Sequence, residues 1–174
     1  NCSMRGDEGE SMSNWACATL WEERDNVAPE LIGRVKSVIF QSFNTHDGVP
    51  YEIRYLKTAE EIRFYSNSNK FLKDFSTGDE LAELTQLKRL QMYALGLSSI
   101  DHSFANLVNL EELDLSGNNF NEVPALLNPD NFPNLRYLDL AANRRRGVGD
   151  MTSTTIEEDK WGGFRGEFPV HLLT

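Results

Sequence analysis

The sequence predicts an α/β solenoid, a chain wound into stacked coils behind an N-terminal helical cap. Each coil gives one strand to a curved parallel sheet on the concave side and a short helix or turn to the convex side. Two observations predict this. One apolar pattern recurs in five lines whose register residues, Val35, Ala59, Leu87, Leu110 and Leu135, stand 24, 28, 23 and 25 residues apart. All twenty key positions in those lines are apolar, where a 40% apolar composition gives about eight by chance.

The clearest line is Leu107-Val-Asn-Leu110-Glu-Glu-Leu113-Asp-Leu115-Ser-Gly-Asn118, or LxxLxxLxLxxN. The same frame holds Ile32, Val35, Val38 and Phe40; then Leu56, Ala59, Ile62 and Phe64, with Asn67 after them. It returns as Leu84, Leu87, Leu90 and Met92, and finally as Phe132, Leu135, Leu138 and Leu140, ending in Asn143. The last two apolar residues of each line alternate with polar ones, so they share one face of a short strand. One such unit cannot bury its own apolar face, and stacking units makes a continuous core. The closing Asn suits a turn, because its amide bonds backbone groups exposed there. Phe43 and Leu95 interrupt that column.

The intervals lie inside the roughly 20–29 residue window of leucine-rich repeats. Residues 31–143 resemble a leucine-rich-repeat solenoid. Between the strands, Val49-Pro50-x-x-Ile53-x-x-Leu56, Ile100-x-x-x-Phe104-x-x-Leu107 and Val123-Pro124-x-x-Leu127 place apolar residues as a helical turn on the outer side requires. The 28-residue repeat carries Phe71, Phe75 and Leu81 there and is expected to hold a fuller helix.

Residues 1–13 are polar, small and acidic, and read as a tail. Residues 14–34 read as the cap. Ser13 or Asn14 caps a helix whose packing face is Trp15, Leu20 and Trp21, and a second short helix starts at Pro29. This Trp-rich entry resembles that of uncharacterised, surface-exposed bacterial leucine-rich-repeat proteins, which implies an extracellular or cell-surface location. The repeats occupy 35–143. Residues 144–174 hold Arg144-Arg145-Arg146, a long polar insertion and Phe168-Pro169-x-x-Leu172, which opens a further return segment. That arrangement fits a fragment of a longer array or an unusual cap. Cys2 and Cys17 either close a disulfide or remain thiols.

The 174 residues carry 17 Lys and Arg against 27 Asp and Glu, a net charge of −10, which disfavours a nucleic-acid partner. No apolar run approaches the ~18 residues that span a bilayer. The two cysteines and three scattered histidines lack zinc-site spacing, and no cofactor or metal is expected. No nucleophile elbow, zincin or phosphate-loop motif occurs, so catalysis is not expected.

Binding is the better expectation. Stacked strands bring equivalent outward positions side by side, roughly 4.7–4.9 Å apart. Those positions read Ser37, Glu61, Arg89, Glu112, Tyr137 in one row and Ile39, Arg63, Gln91, Asp114, Asp139 in the next. A third row holds Gln41, Tyr65, Tyr93, Ser116 and Ala141. Arg63, Tyr65, Arg89, Gln91 and Tyr93 are expected to form one patch, with Glu112, Asp114, Tyr137 and Asp139 beside it. Tyr and Arg recur at interaction hot spots because they join rigid area to a polar handle. The expected partner is a protein or peptide. A glycan and a purely architectural role are the alternatives, and a mixed polar face that pairs with itself accounts for the same residues.

Overall fold

The computed structural model describes residues 17–40, 49, 51–65, 75–143, 145–146 and 161–162. Ten strands follow in chain order: β1 (Cys17–Leu20), β2 (Val35–Phe40), β3 (Glu61–Tyr65), β4 (Phe75–Ser76), β5 (Arg89–Tyr93), β6 (Leu97–Ser99), β7 (Glu112–Asp114), β8 (Tyr137–Asp139), β9 (Arg145–Arg146) and β10 (Trp161–Gly162). Six form one sheet in the order β1-β2-β3-β5-β7-β8. From β2 onward its neighbours run parallel, each one coil further along the chain.

The strand register matches the apolar frame. Val38 pairs with Ile62, Ile62 with Leu90, Leu90 with Leu113, and Leu113 with Leu138, so these side chains line one column. Phe40 and Phe64 stack in the neighbouring column with ring centroids 4.8 Å apart. Ile62, Phe64, Leu87, Leu110 and Leu113 are fully buried, and each fully buried side chain of this size contributes about 1.5–3 kcal/mol. Nineteen of the twenty frame positions are buried or packed against the core. Ile32 is the exception: it is exposed, and the indole of Trp21 is buried at this end of the stack instead.

The outer side holds 3₁₀ helices over Tyr51–Tyr55 and His102–Asn106, which bury Ile53 and Phe104 as the spacing requires. Asp101 caps the second, its carboxylate accepting from the Ser103 N–H at 2.8 Å. The fuller helix expected around Phe75 and Leu81 is not seen there. Phe75–Ser76 forms a strand, paired in parallel with β6 in a second sheet, and Leu81 is buried in a turn. Phe71 lies outside the described residues.

The N-terminal cap is also different. The second short helix expected at Pro29 is present, as a 3₁₀ helix over Pro29–Leu31 with the proline in its first turn. The helix expected over residues 13–24, by contrast, is replaced, within its described part, by β1, which pairs antiparallel with β2, and by a 3₁₀ turn at Glu23–Asp25. The physical reason is the edge of β2. The outer edge of a parallel strand presents unpaired N–H and C=O groups, and an antiparallel neighbour satisfies them where a helix does not. Thr19 adds a hydroxyl contact to Ser37 at 2.7 Å. Leu20 points outward, whereas Trp21 is buried and donates its indole N–H to the Thr58 carbonyl at 3.1 Å. Trp15, Cys2 and the side chain of Cys17 lie outside the described residues, as do Phe43, Asn67 and most of the segment after Asn143.

The asparagines stitch coils together. Asn118 is fully buried, and its Oδ1 accepts from the N–H groups of Leu95 (2.9 Å) and Leu97 (3.1 Å). Its Nδ2 donates to the carbonyls of Met92 (2.7 Å) and Leu115 (2.8 Å). Asn143 repeats the task towards Leu115 and Leu140. Each amide thus serves its own turn and the preceding one. That is how Leu95 is tolerated at an asparagine position: Asn118 reaches back to the backbone of its coil. Asn109 and Asn134 make a second series at the coil entry, donating to Thr85 and Val108 at 2.8 Å.

Equivalent positions at the strand entries, inside β2 and just before β3, β5, β7 and β8, carry alternating charge: Lys36, Glu60, Lys88, Glu111, Arg136. Lys36 bonds Asp25 at 2.6 Å and Lys88 bonds Glu60 at 2.5 Å. Like charges placed opposite each other on neighbouring strands are destabilising. Glu60→Lys, which sets three cations side by side, is expected to lower stability by about 0.5–1 kcal/mol, with the loss shrinking as salt is raised. Urea titrations at low and high ionic strength measure it.

Candidate functional site

The solvent face of the sheet is built by the strand register. Glu61, Arg89, Glu112 and Tyr137 follow one another in direct pairing, beginning from Ser37. Arg63, Gln91, Asp114 and Asp139 form the adjacent row, beginning from Ile39. Tyr65 pairs with Tyr93 in the third. All nine candidate residues therefore share one face. Gln41 of the third row lies outside the described residues.

Much of the polar capacity of this face is spent within it. Tyr65 donates to the Gln91 amide oxygen at 2.6 Å, and the Gln91 amide nitrogen donates to Asp114 at 2.5 Å. Asp114 also accepts from the N–H and hydroxyl of Ser116, at 2.9 and 2.5 Å. A relay thus runs from β3 to the turn after β7. Asp139 uses the same device one coil on, accepting from the Ala141 N–H at 2.8 Å. Both aspartates hold the backbone two residues ahead, the usual Asx turn. The sequence shows the signal in the matching strings Leu113-Asp-Leu and Leu138-Asp-Leu, each closed by an Asn.

Glu61 pairs with Arg63 on its own strand and lies 3.7 Å from the Arg89 guanidinium. The exposed residues among the nine are Tyr93 and Tyr137, at 44% and 53%, Arg89, whose side chain is 45% exposed, and Glu112. The expected patch of Arg63, Tyr65, Arg89, Gln91 and Tyr93 is thus contiguous, but Tyr65 and Gln91 are locked to each other and Arg63 to Glu61.

Tyr137 sits beside three carboxylates. The charge of Asp139, the hydrogen bond to it at 3.2 Å, and the charges of Asp114 and Glu112 hold its phenol above its ordinary pKa of 10.0. The direction follows from electrostatics, since a phenolate beside anions is disfavoured. Asp139→Asn is expected to move the Tyr137 titration down towards that ordinary value, read as tyrosinate absorbance near 295 nm against Tyr137→Phe.

At the β1 end the face runs into an open groove of about 1020 Å³, whose lining includes Thr19, Trp21, Lys36, Ser37, Glu61 and Arg89. Lys36 lies over the Trp21 ring at 4.6 Å, and its bond to Asp25 leads the effects that hold that carboxyl below its usual value. The groove was not foreseen from the sequence because it depends on β1, a strand where a helix was expected. Among the described residues no group of three His, Cys, Asp or Glu side chains is placed to hold a metal ion, and no helix is long and apolar enough to cross a membrane.

The profile for leucine-rich repeats (two copies) matches residues 108–148. No curated protein matches the sequence. Among solved structures, a leucine-rich-repeat protein of Leptospira interrogans is similar at 20% identity and a TM-score of 0.53, over 64% of this chain. An internalin of Listeria monocytogenes matches at 18% identity and a TM-score of 0.40, over 65% of this chain. The chain spans about a quarter of the length of the first, at 26%, and 36% of the second. The parallel register, the asparagine bridges and the matched repeats lead to one conclusion: residues 108–148 carry leucine-rich repeats, and the described coils form a solenoid of the leucine-rich-repeat fold.

Proposed function

We propose that the chain is a non-catalytic recognition module for a protein or peptide, acting in an exported or cell-surface bacterial protein and binding through the concave face of its solenoid. The observation that carries this is the single face shared by two exposed tyrosines, an exposed arginine and a pre-ordered hydrogen-bond relay. Rigid aromatic and guanidinium side chains lose little entropy on binding, and a relay that already fixes its neighbours lowers that cost further. Extended concave surfaces are what solenoids use for binding. The exported location rests on the resemblance of the entry region to surface-exposed proteins, and protease shaving of intact cells tests it: a surface protein is cleaved without lysis.

The binding test is a double substitution. Tyr65→Ala with Tyr93→Ala is expected to weaken an identified partner at least ten-fold, while Tyr55→Ala, on an outer 3₁₀ helix, leaves affinity within two-fold. Affinity that falls with Tyr55→Ala and survives the double substitution would move the site off this face. A glycan array whose hits vanish in the double variant would keep the site and replace the partner class.

A further inference from the structure

We infer that the concave face receives an extended segment of a partner protein lying across the strands, with a carboxylate side chain opposite Arg89 and a cationic one two residues away, opposite Glu112. The inference deepens the recognition reading above and rests on it.

It follows from which groups on the face remain free. Arg63 is taken up by Glu61, Tyr65 and Gln91 by each other, and Asp114 and Asp139 by the turns after their strands. Arg89 keeps most of its donors, since its one ion-pair contact among the described residues is the 3.7 Å approach to Glu61. Glu112 is exposed, and its carboxylate has no hydrogen bond or ion pair among the described residues. The two are direct partners across β5 and β7, and Tyr137 follows on β8. A cation with most of its donors unspent, an unpaired anion and an exposed ring therefore stand in one row, one strand spacing of roughly 4.8 Å apart.

That order defines the ligand. In an extended chain, side chains on one face recur every second residue, roughly 6.6–6.8 Å apart, and the lengths of the Arg89 and Glu112 side chains absorb the mismatch with the strand spacing. A carboxylate opposite Arg89 gains a charge-assisted pair with a planar donor. A lysine or arginine opposite Glu112 gains the carboxylate and lies within reach of the Tyr137 ring, where a cation is attracted to the aromatic face. The groove supplies continuity, because Arg89, Glu61, Ser37 and Thr19 line it as well as the row. A segment leaving Arg89 towards β1 enters open space bounded by the fixed indole of Trp21 rather than a wall.

Selection of random dodecapeptides displayed on phage against the purified full chain tests this. Enriched peptides are expected to carry an acidic and a basic residue two apart, and to bind Arg89→Glu and Glu112→Lys at least ten-fold more weakly. The double exchange Arg89→Glu with Glu112→Arg is expected to restore peptides in which the two charges are interchanged, a rescue that a folding defect does not produce. Circular dichroism of each variant verifies the fold. An empty selection, or enriched peptides without the charge pair, overturns the inference. Peptides indifferent to both single substitutions but lost on Tyr65→Ala with Tyr93→Ala overturn it and leave concave-face recognition standing. Peptides indifferent to every substitution on this face overturn both.

Discussion

Asn118→Ala is expected to lower the unfolding free energy by about 3–5 kcal/mol, far more than its small volume suggests. The side chain is fully buried and bonds two N–H groups and three carbonyls, those of Leu95, Leu97, Met92, Leu115 and Ser116. Alanine leaves these groups buried without the amide, and each orphaned backbone group costs about 1–3 kcal/mol. The total stays below the sum because the turn relaxes and the contacts are not additive. Asn118→Asp separates the roles. A carboxylate still accepts from Leu95 and Leu97 but meets three carbonyl oxygens with no donor, so it is expected to be at least as damaging at neutral pH. Its pKa is raised in the fold, so the penalty is present above the folded value and eases as pH falls and the acid becomes a donor. Urea unfolding followed by circular dichroism, at neutral and at acid pH, measures both. A loss below about 1 kcal/mol for the alanine variant would mean that the amide does not bridge coils.

The coil frame was legible because it depends on side-chain period alone. Once Leu90, Leu113 and Leu138 share a phase, the register of β5, β7 and β8 follows, and with it the rows of the solvent face. What period does not carry is where hydrogen bonds go. Asp114 and Asp139 read as surface acids, yet their carboxylates secure Ser116 and Ala141. Arg89 stands directly opposite Glu112 across the strands, yet its guanidinium lies 3.7 Å from Glu61 on the other side.

The N-terminal segment misled for a different reason. Trp-Ala-Cys-Ala-Thr-Leu-Trp has good helix formers, and local propensity is a weak prior that tertiary context overrides. The missing datum is the bare edge of β2, visible only after the sheet is assembled. The outer segments failed similarly in the 28-residue repeat, where Phe75 and Ser76 pair with β6. Its extra length signalled something other than a bare turn, but not that it was a strand.

The same truncation made at two points of one column exposes the logic of the stack. Leu113 and Leu138 are direct register partners with identical side chains, yet Leu113 is fully buried and Leu138 only partly. Leu113 lies between β5 and β8, whereas β8 is the edge strand of the described sheet. Leu113→Ala is expected to cost about 3–4 kcal/mol, because it removes a fully packed side chain and leaves a cavity that coils on both sides hold open. Leu138→Ala is expected to cost about 1–2 kcal/mol, since less area was withdrawn from water and the edge can close over the gap. Nearest-neighbour coupling adds a second distinction. Loss at an edge weakens one coil and its single interface, and loss in the middle weakens two interfaces. Hydrogen exchange should therefore show protection falling in β8 alone for Leu138→Ala, and in β5, β7 and β8 together for Leu113→Ala. Equal losses and equal exchange patterns would show that the two leucines do not occupy one shared column with an interior and an end.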